Sequence, residues 1–232
     1  MSATGRGTGA ATGRGTGAAT GRGSGGAGGG SKAAAPGRGP GGASGRRRGA
    51  NDPERRERIV RAALDSIAEG GVRGTTHRAV AERAGVPLGS MTYYFDGLEE
   101  IFEEAFRQLV RTMTSQFRAA MEGARSQEEA CTALAALISD DEYSTPRDTT
   151  AMLELYAYGN HDPAVGALRN EWTQMSSDAL ALHFAEPTRK ALDALVEGFT
   201  VHAFFRSNRP DPEVVRATID AVVARLEPPP HE

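Results

Sequence analysis

From Pro53 onward, apolar side chains recur at helical spacing and are broken at regular points by Gly, Pro and Asp. Ile59, Val60, Ala63, Leu64 and Ile67 make the first stripe. Asn51-Asp52-Pro53-Glu54 opens it, with Asp52 suited to the N-cap, Pro53 to the first helical position and Glu54 to the positive end of the helix dipole. Gly70-Gly71 closes it. A second helix is predicted over His77–Ala84, capped by Thr76, with Val80 and Ala81 inward and Gly85 as the turn. A third runs from about Leu88 to Tyr94, before Asp96-Gly97 breaks the chain. A long helix follows from Leu98 to about Gly123, its apolar side made of Ile101, Phe102, Phe106, Leu109, Val110, Met113 and Phe117. Further helices are predicted over Gln127–Ser139, Arg147–Tyr158, Pro163–Ala185, Thr188–Phe205 and Pro212–Leu226, punctuated by Pro146, Pro163, Pro187 and Asp211-Pro212. Period-two alternation is absent, so the fold class is all-α.

Composition divides the chain in two. Residues 1–50 hold 19 of the 29 glycines, and Ala3–Ala10, Ala11–Ala18 and Ala19–Gly26 are near-copies of ATGRGTGA. With no large apolar side chain to bury, such a segment cannot offset its chain entropy and is expected to be a disordered tail. It carries eight basic residues and no acid, whereas the remainder carries 19 basic and 30 acidic. The overall net charge of −3 therefore conceals a basic arm on an acidic body. Such an arm suits nucleic acid or an anionic surface.

Little in the body points to catalysis. His77, His161, His183, His202 and His231 are scattered and fit no metal-ligand spacing. Asp140, Asp141 and Glu142 lie together at a helix end, where a solvated loop is the simpler account. No phosphate-cradling or nucleophile-elbow motif occurs in the body, and no enzyme activity, metal or cofactor is expected. Cys131 stands alone within CTALAALI and reads as a small core residue. With no run of 18 apolar residues and no apolar leader, the expected location is the cytoplasm.

The stretch Thr75–Phe95, TTHRAVAERAGVPLGSMTYYF, is the informative one. It is two short helices joined by a Gly turn, the form of a helix-turn-helix that sets its second helix in a DNA major groove. Val80, Ala84, Val86, Met91 and Phe95 read as its core. Gly89, Ser90 and Thr92 are small enough to let backbone approach DNA. Tyr93 and Tyr94 can bond phosphates or touch thymine methyls, and at least one must be free on so short a helix. Thr76 sits at a helix N-terminus, where N–H groups attract phosphate. Arg78 can reach a phosphate or a base edge.

That stretch, followed by DGLEEIFEEAF, resembles the TetR/AcrR family of bacterial transcriptional regulators. With RRGANDPERRERIV before it and EPTRKALDALVEGFTVH late in the chain, it is similar to the RcdA (YbjK)-like branch. The resemblance implies a three-helix DNA-binding domain over residues 51–97 and a helical ligand-binding and dimerisation domain over 98–227, flanked by tails at 1–50 and 228–232. It implies a homodimer paired through the last two helices, binding a palindromic double-stranded operator as a repressor. An unidentified small molecule in the C-terminal domain would alter the separation of the two DNA-reading heads. By position, DNA contacts fall on Thr76, Arg78, Leu88, Gly89, Ser90, Thr92, Tyr93 and Tyr94. Pro87, Leu88 and Leu98 replace residues that are often polar or basic in the family, a loss that Arg46, Arg47 and Arg48 could compensate by tracking the backbone or entering the minor groove. Candidate ligand contacts are Met113, Phe117, Met152, Tyr156, His161, Trp172, Met175 and Phe199. Candidate dimer contacts are Leu192, Leu195, Val196, Phe199, Val214, Val215, Ile219, Val222 and Val223, which could equally complete a monomer core. The competing reading is a non-specific nucleic-acid binder driven by the Gly/Arg-rich tail.

Overall fold

A computed structural model describes residues 53–206 and 208–228. The Gly/Arg-rich tail, Asp52 and the Arg46–Arg48 arm lie outside the described residues. Those described form nine α-helices and no strand: α1 (Pro53–Gly74), α2 (His77–Ala84), α3 (Met91–Tyr94), α4 (Leu98–Gly123), α5 (Gln127–Ser139), α6 (Pro146–Gly159), α7 (Pro163–Leu180), α8 (Glu186–Arg206) and α9 (Pro212–Leu226). A 3₁₀ turn, Leu88–Ser90, leads into α3.

Capping chemistry sets most of these boundaries. Thr145, Asp162 and Asp211 accept hydrogen bonds from the first turns of α6, α7 and α9, each of which has Pro at its start. Ser126 accepts from Glu129 N–H while the Glu129 carboxylate accepts from Arg125 N–H, a reciprocal cap on α5. The third helix is less regular than its sequence suggests, because its first residues close as a 3₁₀ turn. The seventh is shorter, ending at Leu180 rather than Ala185. There the backbone tightens so that Phe184 is buried and the His183 ring is hydrogen-bonded to Met121 O at 2.8 Å.

Two apolar clusters organise the molecule. The first joins Ile59, Ala63 and Ile67 of α1, Val80 of α2 and Met91 of α3 to Phe106 and Leu109 of α4, Leu155 of α6 and Leu168 of α7. The second joins Phe117 and Met121 of α4 to Leu134 of α5, Leu180 of α7, Leu192 of α8 and Ile219 of α9. The long α4 thus enters both. Cys131 is buried in the second cluster, and burial pushes its thiol up to about 11, which leaves it protonated and unreactive near neutral pH. Of the candidate dimer contacts, Leu192, Val196, Val215 and Ile219 are buried within this single chain. Leu195, Phe199, Val222 and Val223 are partly buried against the second cluster, while Val214 and the neighbouring Phe205 stay exposed.

α1 and α6 are latched together. Gly71 interrupts α1 with φ 70° and ψ 171°. At that corner Val72 N–H donates to the Glu154 carboxylate of α6 at 2.8 Å, and Thr75 Oγ1 donates to Gly71 O at 2.9 Å. About two turns earlier on α6, Arg147 Nε donates to Asp65 of α1 at 2.8 Å.

Candidate DNA-reading head and ligand cavity

α2, the 3₁₀ turn and α3 form a helix-turn-helix. Thr76 is extended and its hydroxyl accepts from Ala79 N–H at 3.2 Å, which starts α2. Gly85 adopts the left-handed conformation, φ 65° and ψ 36°, that ends it. Val86 N–H then donates to Ala81 O at 3.0 Å, turning the chain toward α3. Val80, Ala81, Val86, Met91 and Phe95 point inward and Ala84 is half-buried against them, so the expected core of this unit is the observed one. Arg56 of α1 lies over the Phe95 ring at 4.9 Å and pairs with Glu104 of α4 at 3.1 Å, bracing the head against both long helices.

The outer surface of the head carries most of the expected DNA contacts. Thr76, Arg78, Leu88, Gly89, Thr92 and Tyr93 are exposed, Leu88 at 50% and Tyr93 at 60%. A Cβ added at Gly89 would meet nothing within 4 Å, so nothing inside the protein requires glycine there. Ser90 is half-buried, its hydroxyl donating to Pro87 O at 2.7 Å, while the Thr92 hydroxyl donates to Gly89 O at 3.3 Å. The two tyrosines divide their duties. Their rings meet edge to face with centroids 5.4 Å apart, and Tyr94 turns inward, its hydroxyl buried with no hydrogen-bond partner. Tyr94 is therefore placed as a packing residue, since two bulky neighbours on a four-residue helix cannot share one face.

The second candidate site lies between α4, α6, α7 and α8. Met113, Phe117, Met152, Tyr156 and Trp172, all singled out from sequence, line a cavity with Tyr143, Thr173, Ser176, Asp193, Val196, Glu197 and Thr200. Its cavity volume is about 40 Å³, and its empty space with the open mouth included is about 460 Å³. The Tyr156 and Trp172 rings stand 6.3 Å apart at 49°. Burial, then the Glu197 carboxylate, pushes the Asp193 carboxyl up to about 6. Burial likewise raises the Tyr156 hydroxyl, reinforced by Glu197, and the Tyr143 hydroxyl, reinforced by Asp193.

Three expected ligand contacts are not among the residues lining this cavity. His161 is exposed in the α6–α7 turn, Met175 packs against the first apolar cluster, and Phe199 packs against the second. The α8 face of the cavity carries no such signal in the sequence. Asp193, Val196, Glu197 and Thr200 fall at i, i+3, i+4 and i+7, one helical stripe whose mixture of acid, Val and Thr resembles an ordinary solvent face until α6 and α7 are placed opposite it.

Residues 59–105 match the family of bacterial regulatory proteins described as the tetR family. The chain is 32% identical over 146 residues to the HTH-type transcriptional regulator BetI of Burkholderia cenocepacia (strain HI2424), covering 60% of this chain and 74% of that protein. The transcriptional regulator SCO7518 of Streptomyces coelicolor A3(2) superposes with a TM-score of 0.66 at 38% identity, over 73% of this chain and 98% of the other. The multidrug binding protein EbrR, in its crystal structure with imidazole, superposes with a TM-score of 0.63 at 29% identity, over 78% of this chain and 94% of the other. These matches identify the family and not its RcdA-like branch. With this similarity and its helix-turn-helix, the chain belongs to the TetR family of bacterial regulatory proteins and is a DNA-binding transcriptional regulator.

Proposed function

We propose that the protein is a homodimeric cytoplasmic repressor that reads a short palindrome through the 3₁₀ turn and α3, and that a small molecule in the α4–α8 cavity releases it. The observation that carries this reading is the joining of two different surfaces by shared helices. The exposed Gly89–Tyr93 surface suits a DNA groove, the cavity suits a small organic molecule, and α4 and α6 touch both units. The crystal structures of the multidrug binding protein EbrR with imidazole, ethidium and malachite green support a small-molecule ligand here. The exposed Phe205 and Val214 on α8 and α9 support pairing of two chains through those helices.

The test is a footprint on the DNA upstream of the protein's own gene and on genomic fragments, run against unrelated competitor DNA. Protection of a short palindrome that survives competitor is expected, and no preference over competitor would sink the proposal. Mass measured in solution checks the dimer. Two chains for the wild type and one for a Phe205→Asp, Val214→Asp variant are expected, whereas a monomeric wild type removes the pairing. The reading as a non-specific binder driven by the tail is not favoured, because the matches fall on the helical body.

A further inference from the structure

The wall of the α4–α8 cavity has an unusual charge balance. Asp193 and Glu197 stand one turn apart on α8 and share it. No Lys, Arg or His is among the lining residues. Several other acids of the molecule are paired: Asp65 and Asp148 with Arg147, Asp141 with Arg209, Glu128 and Asp220 with Arg216. Asp193 and Glu197 have no ion-pair partner among the described residues. The Tyr156 hydroxyl beside Glu197 is neutral and offers it no counter-charge.

A second feature points the same way. Tyr143, Ser176 and Thr200 also line the cavity and give its wall a polar share. Opposite the acids stand the Tyr156 and Trp172 rings, whose faces attract a positive charge, and the apolar Met113, Phe117 and Met152.

Building on the reading of this cavity as the effector site, we propose that it selects an organic monocation with an aromatic or bulky apolar body. Asp193 and Glu197 supply the counter-charge, and Tyr156 and Trp172 supply the ring faces. An anion of the same shape meets two carboxylates and no cation, so it is rejected on charge alone. A neutral body of that shape keeps the apolar contacts and loses the charge term.

Trp172 is the only tryptophan of the chain, so its fluorescence reports directly on the cavity. The experiment titrates the full chain with tetraphenylphosphonium, with tetraphenylborate, its counterpart of like shape and opposite charge, and with neutral triphenylphosphine oxide. Binding is confirmed by calorimetry. The expected result is saturable quenching by the phosphonium, at least tenfold tighter than by either of the others. Asp193→Asn and Glu197→Gln should each weaken it, and the double variant should bring it level with the neutral compound, with helical content by circular dichroism unchanged. Borate or oxide binding as tightly as the phosphonium, or phosphonium binding indifferent to the double variant, overturns the charge selection and leaves the effector-site reading standing. Binding by none of the three overturns the effector-site reading itself, and the proposal with it.

Discussion

Replacing Gly71 with Ala tests whether the corner between α1 and α2 depends on its contact with α6. Gly71 holds φ 70° and ψ 171°, a region that residues with a Cβ avoid at a cost of order 1–3 kcal/mol. The new Cβ would also stand 3.0 Å from Oε1 of Glu154. That carboxylate is the acceptor for Val72 N–H at 2.8 Å, a charge-assisted bond worth about 1.5–3 kcal/mol. The side chain can swing away only by loosening it. Strain and a weakened bond together predict a loss of about 3 kcal/mol, or roughly 6–12 °C in Tm for a chain of this size. The assay is thermal unfolding followed by circular dichroism at fixed protein concentration. A double-mutant cycle with Glu154→Ala divides the two causes. Without Glu154 the clash and its bond are both gone, so Gly71→Ala should cost about 1 kcal/mol less in that background, with the backbone strain remaining. A Tm within about 2 °C of wild type for Gly71→Ala would refute the strain. Equal cost in both backgrounds would refute the contact.

Gly89→Val should leave Tm unchanged, because nothing inside the protein lies near an added Cβ, yet lower DNA affinity at least tenfold in a gel shift by holding the 3₁₀ turn off the groove; unchanged affinity would place the groove elsewhere. Tyr93→Ala should also cost about tenfold in DNA affinity with Tm unchanged, whereas Tyr94→Phe should leave DNA binding intact and raise stability by about 1 kcal/mol by removing an unpartnered buried hydroxyl. The Asp193 carboxyl titrates near 6 when folded and at about 3.8 otherwise, so the folded chain holds the extra proton between those values and stability falls as pH rises through that window. Asp193→Asn should therefore raise stability at pH 7.5, by on the order of 1 kcal/mol after solvent screening, and not at pH 4, as read from thermal unfolding at the two pH values. For the wild type, tetraphenylphosphonium binding should strengthen from pH 5 to 7, with Glu197, Tyr143 and Tyr156 the titratable groups facing Asp193 and Arg169 the nearest cation acting on Tyr156. Deleting residues 1–50 should preserve the footprint while flattening the salt dependence of affinity; loss of site preference would assign recognition to the arm.

What the sequence revealed and what it hid follow from the range of the forces involved. Helix starts at Pro53, Pro146, Pro163 and Pro212 and the stop at Gly85 were legible because caps act within one turn. The DNA-reading surface was largely legible too, since Val80, Val86, Met91 and Phe95 must face in, which forces Leu88, Gly89, Thr92 and Tyr93 out. Tyr94 was not, because which of two adjacent tyrosines turns inward depends on α1 and α4. The apolar half of the cavity could be read from Met and aromatic positions on α4, α6 and α7. Its charged half could not. On a surface helix Asp193 and Glu197 look like solvating charges, and only the packing of α6 and α7 against α8 makes them the wall of an aromatic cavity. The same blindness to distance made Leu192 and Ile219 equally good as core and as interface until the fold assigned them to the core.

α6 is the element through which cavity and head can share a mechanical fate. Met152 and Tyr156 face the cavity, and Glu154, two residues from each, projects from the other side of the helix to hold Val72. Arg147 adds a second tie to α1 about two turns earlier. The cavity volume is about 40 Å³, while sites for drug-sized molecules run to roughly 300–1,000 Å³. Under the proposed function, a ligand of that size would part the helices around it, and a displacement of α6 would be carried into the Gly71–Val72 corner by a short, directional bond rather than by soft packing. The corner lies four residues from Thr76, the cap that sets the start of α2, so a shift there re-aims the helix-turn-helix without unfolding it. Gly71 is what permits this geometry: its left-handed turn brings Val72 N–H to Glu154, and with any side chain there the latch would be held open.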